Sequence, residues 1–143
     1  MGLLKKDKVA NRYTIIIGCG RLGGQLASYI SNCGEDVLII DKDADAFRKL
    51  APSFAGMTVV GDAQDLNVLD EVRISEAHQV VVVTNNDNTN VMIAQMVKRI
   101  YKVEDVYTRL QNPEIQNIFD GMNIQIILPS LLSFEKIKEL NHD

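Results

Sequence analysis

Tryptophan is absent from this 143-residue chain, and cysteine and proline are scarce, at two and three residues. Two cysteines, Cys19 and Cys33, are too few for a disulfide framework and fit a reducing compartment. No apolar run approaches the ~20 residues that a membrane-spanning helix needs. The N-terminus has lysines but no apolar stretch after them, unlike a secretory signal. Gly2 does not open a myristoylation motif, because Lys6 stands where Ser or Thr is required. A basic excess is also missing. The 15 Lys and Arg against 19 Asp and Glu leave a net charge of −4. A broad nucleic-acid footprint is thereby excluded, and no nucleic-acid partner is expected. The expected location is the cytoplasm. What is present is an ordinary soluble composition, 46% hydrophobic and 24% charged. The length predicts one domain. Residues 1–12, with Lys5, Lys6, Lys8 and Arg12, read as a solvated basic tail, and residues 13–143 as the domain.

Along that domain, short apolar runs alternate with helical patterns. Strands are expected at Tyr13–Ile17, Val37–Ile40, Met57–Val60, Gln79–Val83, Val106–Leu110 and Ile124–Leu128. The consecutive valines Val80 to Val83 suit a strand buried on both faces. Helices are expected at Arg21–Ser31, Ala44–Leu50, Asp65–Val72, Asn90–Ile100, Pro113–Asp120 and Leu131–Leu140. Asn88 or Thr89 is the candidate cap of the fourth helix. Pro113 suits a first helical turn, and Gly121 suits the position just past a helix end. Six strands alternating with helices predict an α/β fold. It is a Rossmann-like doubly wound sheet of six mainly parallel strands, with helices on both faces.

The first strand runs into Gly18-Cys19-Gly20-Arg21-Leu22-Gly23, which matches G-x-G-x-x-G between a strand and a helix. Gly18 permits the tight turn, Gly20 lets backbone approach a diphosphate, and Gly23 lets the helix pack on the strand. The helix start then offers free N–H groups and a positive dipole end to phosphates. Asp41 follows the first glycine by 41 − 18 = 23 positions and ends the second strand. A carboxylate there accepts from ribose hydroxyls and repels a 2′-phosphate, so NADP is disfavoured. The pattern does not separate NAD(H) from ATP, ADP or AMP. A thiol at a helix N-terminus, as at Cys19, can ionise early. The plainer reading of Cys19 is a small side chain at a permissive loop position.

Further along, Asp41-Lys42-Asp43, Gly61-Asp62-Ala63 and Arg109-Leu110-Gln111-Asn112-Pro113 follow the glycine turn in order. The whole resembles the nucleotide-binding N-domain of the potassium-conductance regulators, the RCK or TrkA-N (KTN) subunits of potassium uptake systems and channels. The resemblance runs from about Tyr13 to Leu140. It implies that Arg21 reaches toward a terminal phosphate and that Asp41 holds the ribose. It further implies that Lys42, Asp62 and Ala63 border the adenine and ribose. Thr84 and Asn85 would then close the pocket, with Arg109 a basic position near the phosphates. It implies no catalytic residues and no metal. Such domains pair into dimers and octameric rings, alone or with another RCK subunit. They lie at the inner face of the membrane, beneath a potassium transporter or channel that ligand exchange gates. Many relatives carry a C-terminal regulatory domain. The sequence stops at Asp143, so ligand sensing by such a domain is not assigned to this chain.

Two helices carry more apolar surface than one covered face explains: Asn90–Ile100, and Leu131–Leu140 with Leu131, Leu132, Phe134, Ile137 and Leu140. The surplus predicts an oligomer. The alternative for the last helix is that it packs on its own sheet. Asn85, Asn86, Asn88 and Asn90 form either a pocket-lining loop or a polar turn. The Asp41, Asp43 and Asp45 spacing lacks the glycine and late glutamate of a calcium loop. Two other functions compete with a ligand-gated regulator. One is a small NAD(H)-dependent oxidoreductase or redox sensor, for which His78 is the sole ordered histidine candidate and no Tyr-x-x-x-Lys pair exists. The other is an unrelated adenosine- or CoA-binding module.

Overall fold

The computed structural model describes residues 12–142. The basic tail expected over 1–12 therefore lies, apart from Arg12, outside the described residues. Six strands form one sheet: β1 (Tyr13–Ile17), β2 (Asp36–Asp41), β3 (Met57–Val60), β4 (Gln79–Val82), β5 (Asp105–Arg109) and β6 (Ile124–Ile127). Their order is β3-β2-β1-β4-β5-β6, and all five pairings are parallel. This is the expected fold, with every strand parallel. Four α-helices connect or follow them: α1 (Arg21–Asn32), α2 (Leu66–Glu71), α3 (Asp87–Arg99) and α4 (Pro129–Leu140).

The β-branched runs explain the centre of the sheet. Ile15 of β1 sits in register between Leu38 of β2 and Val80 of β4. Successive side chains of a strand face opposite sides. Ile15, Ile17, Val80, Val82 and Val106 thus pack on one face with Leu69 of α2 and Ile93, Ala94 and Val97 of α3. Ile16, Ile39 and Val81 pack on the other with Ala27 and Ile30 of α1.

Several expected bounds shift for local reasons. The expected helices Ala44–Leu50 and Pro113–Asp120 are 3-10 segments, Ala44–Lys49 and Pro113–Phe119. Each starts on an Asx turn. Asp43 accepts from the Asp45 N–H, and Asn112 from the Glu114 N–H. Such a turn tightens the first loop and favours i→i+3 bonds, as from Ala46 N to Asp43 O. Helix α3 begins three residues earlier than expected. Its cap is Asn86, which accepts from Thr89 N–H at 2.9 Å, rather than Asn88 or Thr89. Gly121 does take the left-handed conformation expected past a helical segment, at φ 79°.

Helix α4 differs from the others. None of its residues is buried. Leu131, Leu132, Phe134, Ile137 and Leu140 are 48–67% exposed. The alternative that it packs on its own sheet is therefore overturned.

Candidate functional site

The chain leaves β1 through Gly18, at φ 105°, a conformation that L side chains rarely adopt. A β-carbon there would meet Val83 and Thr84 backbone at 2.8 Å. At Gly23 a β-carbon would come within 1.9 Å of the Gly18 carbonyl oxygen, so this glycine is a packing requirement between α1 and the turn. Gly20 is different. The nearest atom to a β-carbon there is the Asn85 side-chain oxygen at 3.9 Å. The protein leaves that face of Gly20 open to the cleft. Gly20 caps α1 with extended backbone and no side-chain bond, and no acidic residue occupies the first turn. The positive end of α1 is thus unneutralised by its own helix.

Asp41 ends β2 against this turn. Its Oδ2 accepts from the Cys19 N–H at 2.8 Å and its Oδ1 from the Asp43 N–H at 2.9 Å. Each oxygen keeps further acceptor capacity. One carboxylate therefore ties the glycine turn to the end of β2 and still offers lone pairs to the cleft. Beside it, Asp62 Oδ1 accepts from the Gln64 N–H at 2.9 Å, and Ala63 is buried. On the other side of β1, Thr84 and Asn85 follow β4. Arg109, at the end of β5, donates through Nη2 to the carbonyls of Val83 and Thr84, at 3.1 and 3.2 Å.

These groups surround a cleft of about 680 Å³ at the C-terminal edge of the sheet. Gly18, Cys19, Gly20, Arg21, Asp41, Lys42, Asp62, Ala63, Thr84, Asn85 and Arg109 all line it. Leu22 and Gly23 do not. Leu22 is partly solvent-exposed, and Gly23 acts through packing. Asn86, read from the sequence as part of either a pocket-lining loop or a polar turn, lines the cleft, and so do Thr89, Ile93 and Lys49, which were not singled out for it from the sequence. Asn86 had a usable signal, an Asx residue three before Thr89 at a strand end. Lys49 had none, since its place depends on how the 3-10 segment folds back. The asparagine stretch divides: Asn85 and Asn86 line the cleft, Asn88 is exposed, and Asn90 is buried.

Cys19 is buried, with its sulfur 3.3 Å from the Ala46 carbonyl oxygen. Burial pushes its pKa up, the Asp41 carboxylate adds to this, and Lys49 opposes it. An early-ionising thiol is thus not what this turn holds. The plainer reading of a small packed side chain stands.

An all-parallel sheet in this order, with a glycine turn and an acidic strand end flanking its switch point, defines the Rossmann class of α/β domain. Within that class the chain belongs to the TrkA-N family, whose domain model matches residues 14–129. A Trk system potassium uptake protein TrkA of Streptomyces coelicolor is 33% identical over 115 residues, covering 80% of this chain and 52% of the relative. The chain thus spans about half of that relative. Among solved structures, the TrkA-N domain of inner membrane protein ybaL from Escherichia coli superposes with a TM-score of 0.79 at 15% identity, covering 94% of this chain and 98% of the other. The GsuK channel bound to NAD gives 0.74 at 20%, covering 90% and 23%. The Shewanella denitrificans Kef CTD in its AMP-bound form gives 0.71 at 17%, covering 92% and 84%. At such identities the structures establish the shared fold. Among the described residues, no helix is long and apolar enough to cross a membrane.

Proposed function

We propose that residues 13–143 are a nucleotide-binding regulatory domain that gates a membrane potassium transporter or channel. The observation that carries this reading is the open face of Gly20 at the start of α1, which has no side-chain cap, beside the Asp41 carboxylate that holds the Cys19 N–H. Phosphates take the helix start and a ribose takes Asp41. Lys42, Asp62 and Ala63 flank the base, and Thr84 and Asn85 close the cleft. Arg21 and Arg109 supply positive charge. The family membership and the TrkA relative support the transport context. Fold neighbours solved with NAD and AMP support an adenine ligand. A carboxylate at Asp41 works against the 2′-phosphate of NADP. The domain acts without catalysis, in a dimer or ring of its own copies or with another RCK subunit, at the cytoplasmic face of the membrane. Its output is a coupling free energy: two ligands must favour two shapes of the assembly unequally.

A thermal-shift panel of ATP, ADP, AMP, NAD, NADH and NADPH tests the ligand. Ligand at ~100 times its Kd stabilises by about 2.7 kcal/mol. For a domain of this size that raises Tm by roughly 5–10 °C. Shifts with adenine nucleotides or NAD(H), and none with NADPH, are expected. No shift with any of the six would refute a nucleotide site. Arg21→Gln should weaken ATP more than AMP, and equal losses would remove Arg21 from phosphate sensing.

A further inference from the structure

Asn90, in the first turns of α3, is 1% exposed. Its amide makes four hydrogen bonds. Oδ1 accepts from the Thr84 N–H at 3.0 Å and from the Thr84 hydroxyl at 2.5 Å. Nδ2 donates to the Thr84 carbonyl at 3.1 Å and to the Arg109 carbonyl at 2.8 Å. The partners settle the orientation of the amide. Nδ2 faces two carbonyls, which only accept, and Oδ1 faces an N–H, which only donates. A side chain of α3 thus pins the end of β4 to the end of β5 beside the cleft.

The same bonds decide what Thr84 can offer. Its N–H goes to Asn90, and its hydroxyl proton has two acceptors in reach, Asn90 Oδ1 at 2.5 Å and the Asn86 carbonyl at 3.3 Å, of which the shorter contact takes it. Its carbonyl oxygen accepts from both Asn90 and Arg109. Its hydroxyl oxygen also accepts from the Asn86 N–H at 3.3 Å. Thr84 lines the cleft, and its hydroxyl oxygen keeps one lone pair that no described residue fills. The start of α1, which also lines the cleft through Gly20 and Arg21, presents N–H donors.

We infer that Asn90 is a positioning residue of the nucleotide site, fixing Thr84 as a hydrogen-bond acceptor toward the ligand. This inference rests on the nucleotide reading above. The ligand group that meets Thr84 is then an O–H or N–H donor, as on a ribose or an exocyclic amine, and not a phosphate oxygen. Phosphates belong at the donor-rich wall.

Calorimetric titration of the full chain with ADP, AMP and NAD tests this, on wild type, Thr84→Val, Thr84→Ser, Asn90→Asp and the Asn90→Asp/Thr84→Val double variant. Thr84→Val keeps the shape and removes the hydroxyl. It should weaken binding by about fivefold to tenfold, and Thr84→Ser should restore it. Asn90→Asp keeps an acceptor and loses both donations. It should weaken binding by about tenfold or more, and Thr84→Val should cost nothing further in that background. Wild-type affinity in Thr84→Val, or an equal cost in both backgrounds, would overturn the inference. If Asn90→Asp does not fold, the Val and Ser pair decides: loss in Val with recovery in Ser supports it, and equal binding refutes it. Wild type that binds none of the three nucleotides sinks the nucleotide reading itself. Wild type that binds while Thr84→Val is indifferent sinks only the role of Asn90.

Discussion

Helices α3 and α4 are nearly equal in length, at 13 and 12 residues, and both are rich in apolar side chains. Their environments are opposite. Helix α3 buries Val91, Ile93, Ala94 and Val97 against the sheet and leaves only Met92 strongly exposed among the apolar residues within its bounds. Helix α4 buries nothing. Apolar content in a helix therefore states that a surface must be covered, and not by what. For α3 the cover is its own sheet. Among the described residues nothing covers α4, and in the proposed assembly a second copy of the domain or another RCK subunit would do so.

A matched deletion gives the sharpest break between the two helices. Ile93 and Ile137 lose the same atoms on mutation to alanine. Ile93 is 1% exposed and Ile137 is 64% exposed. Ile93→Ala should cost ~2–5 kcal/mol in urea unfolding, because transfer and cavity terms add. Ile137→Ala should stay within about 0.5 kcal/mol, provided the protein is dilute. Equal costs would mean that α4 is packed within its own chain and that the contrast is false.

The next effect concerns association. If α4 is an interface, Phe134 is its largest apolar side chain, and buried aromatic anchors dominate such contacts. Phe134→Ala should then raise the dissociation constant of the assembly by about tenfold or more, read by light scattering across a micromolar dilution series. Met92→Ala on α3 should change it far less. A wild-type molar mass equal to the monomer at every concentration would leave α4 without a partner of its own kind.

Much of this was legible in the chain. The strand positions followed from apolar, β-branched runs ending at Gly18, Asp41 and Gly61; the first two strands are almost wholly buried, and the edge strand Met57–Val60 keeps the same apolar run although it is largely exposed. Most of the cleft lining was legible too, because the glycine turn and Asp41 stand at a fixed spacing. What was not legible depended on tertiary context. The 3-10 geometry at Asp43 and Asn112 comes from side chains that cap two residues on, where a helical pattern hides a tighter turn. The clamp at Asn90 needs β4, β5 and α3 assembled before its four partners exist. The surplus on Asn90–Ile100 proved mostly core, whereas that on the last helix did not, and no periodicity separates those two cases.

The contrast between covered and uncovered recurs at the two ends of α1. Cys19 precedes it and is buried, and Cys33 follows it and is exposed. Burial raises the Cys19 pKa, so little thiolate forms near neutrality. Cys33 should therefore react first with a maleimide or disulfide reagent at pH 7.5, with Cys19 modified only slowly. Peptide mapping by mass spectrometry distinguishes the two. Preferential labelling of Cys19 would revive a redox role for the glycine turn.

The smallest expected effect lies just beyond α3, where Tyr101 reaches across to α2. Its hydroxyl lies 2.7 Å from Asp70 Oδ1 and 3.2 Å from the Leu66 carbonyl oxygen. Burial, then the bond to Asp70, pushes its pKa from 10.0 to about 12. The folded state thus holds this proton more tightly than the unfolded chain. The stabilisation is fully present below the unfolded value near 10 and is lost as pH rises through about 12. Among the described residues, helix α4 has no comparable side-chain tie to the body of the domain. Tyr101→Phe should lower Tm modestly below pH ~9, where the stabilisation is fully present, because it loses a solvent-accessible hydrogen bond. It should also flatten the decline of Tm above the unfolded value near 10. Tyr13 is raised as well, chiefly by burial, so Tyr13→Phe is the control that separates the two slopes. Parallel curves for wild type and Tyr101→Phe across that window would show that the Asp70 bond does not join the end of α3 to α2 in solution.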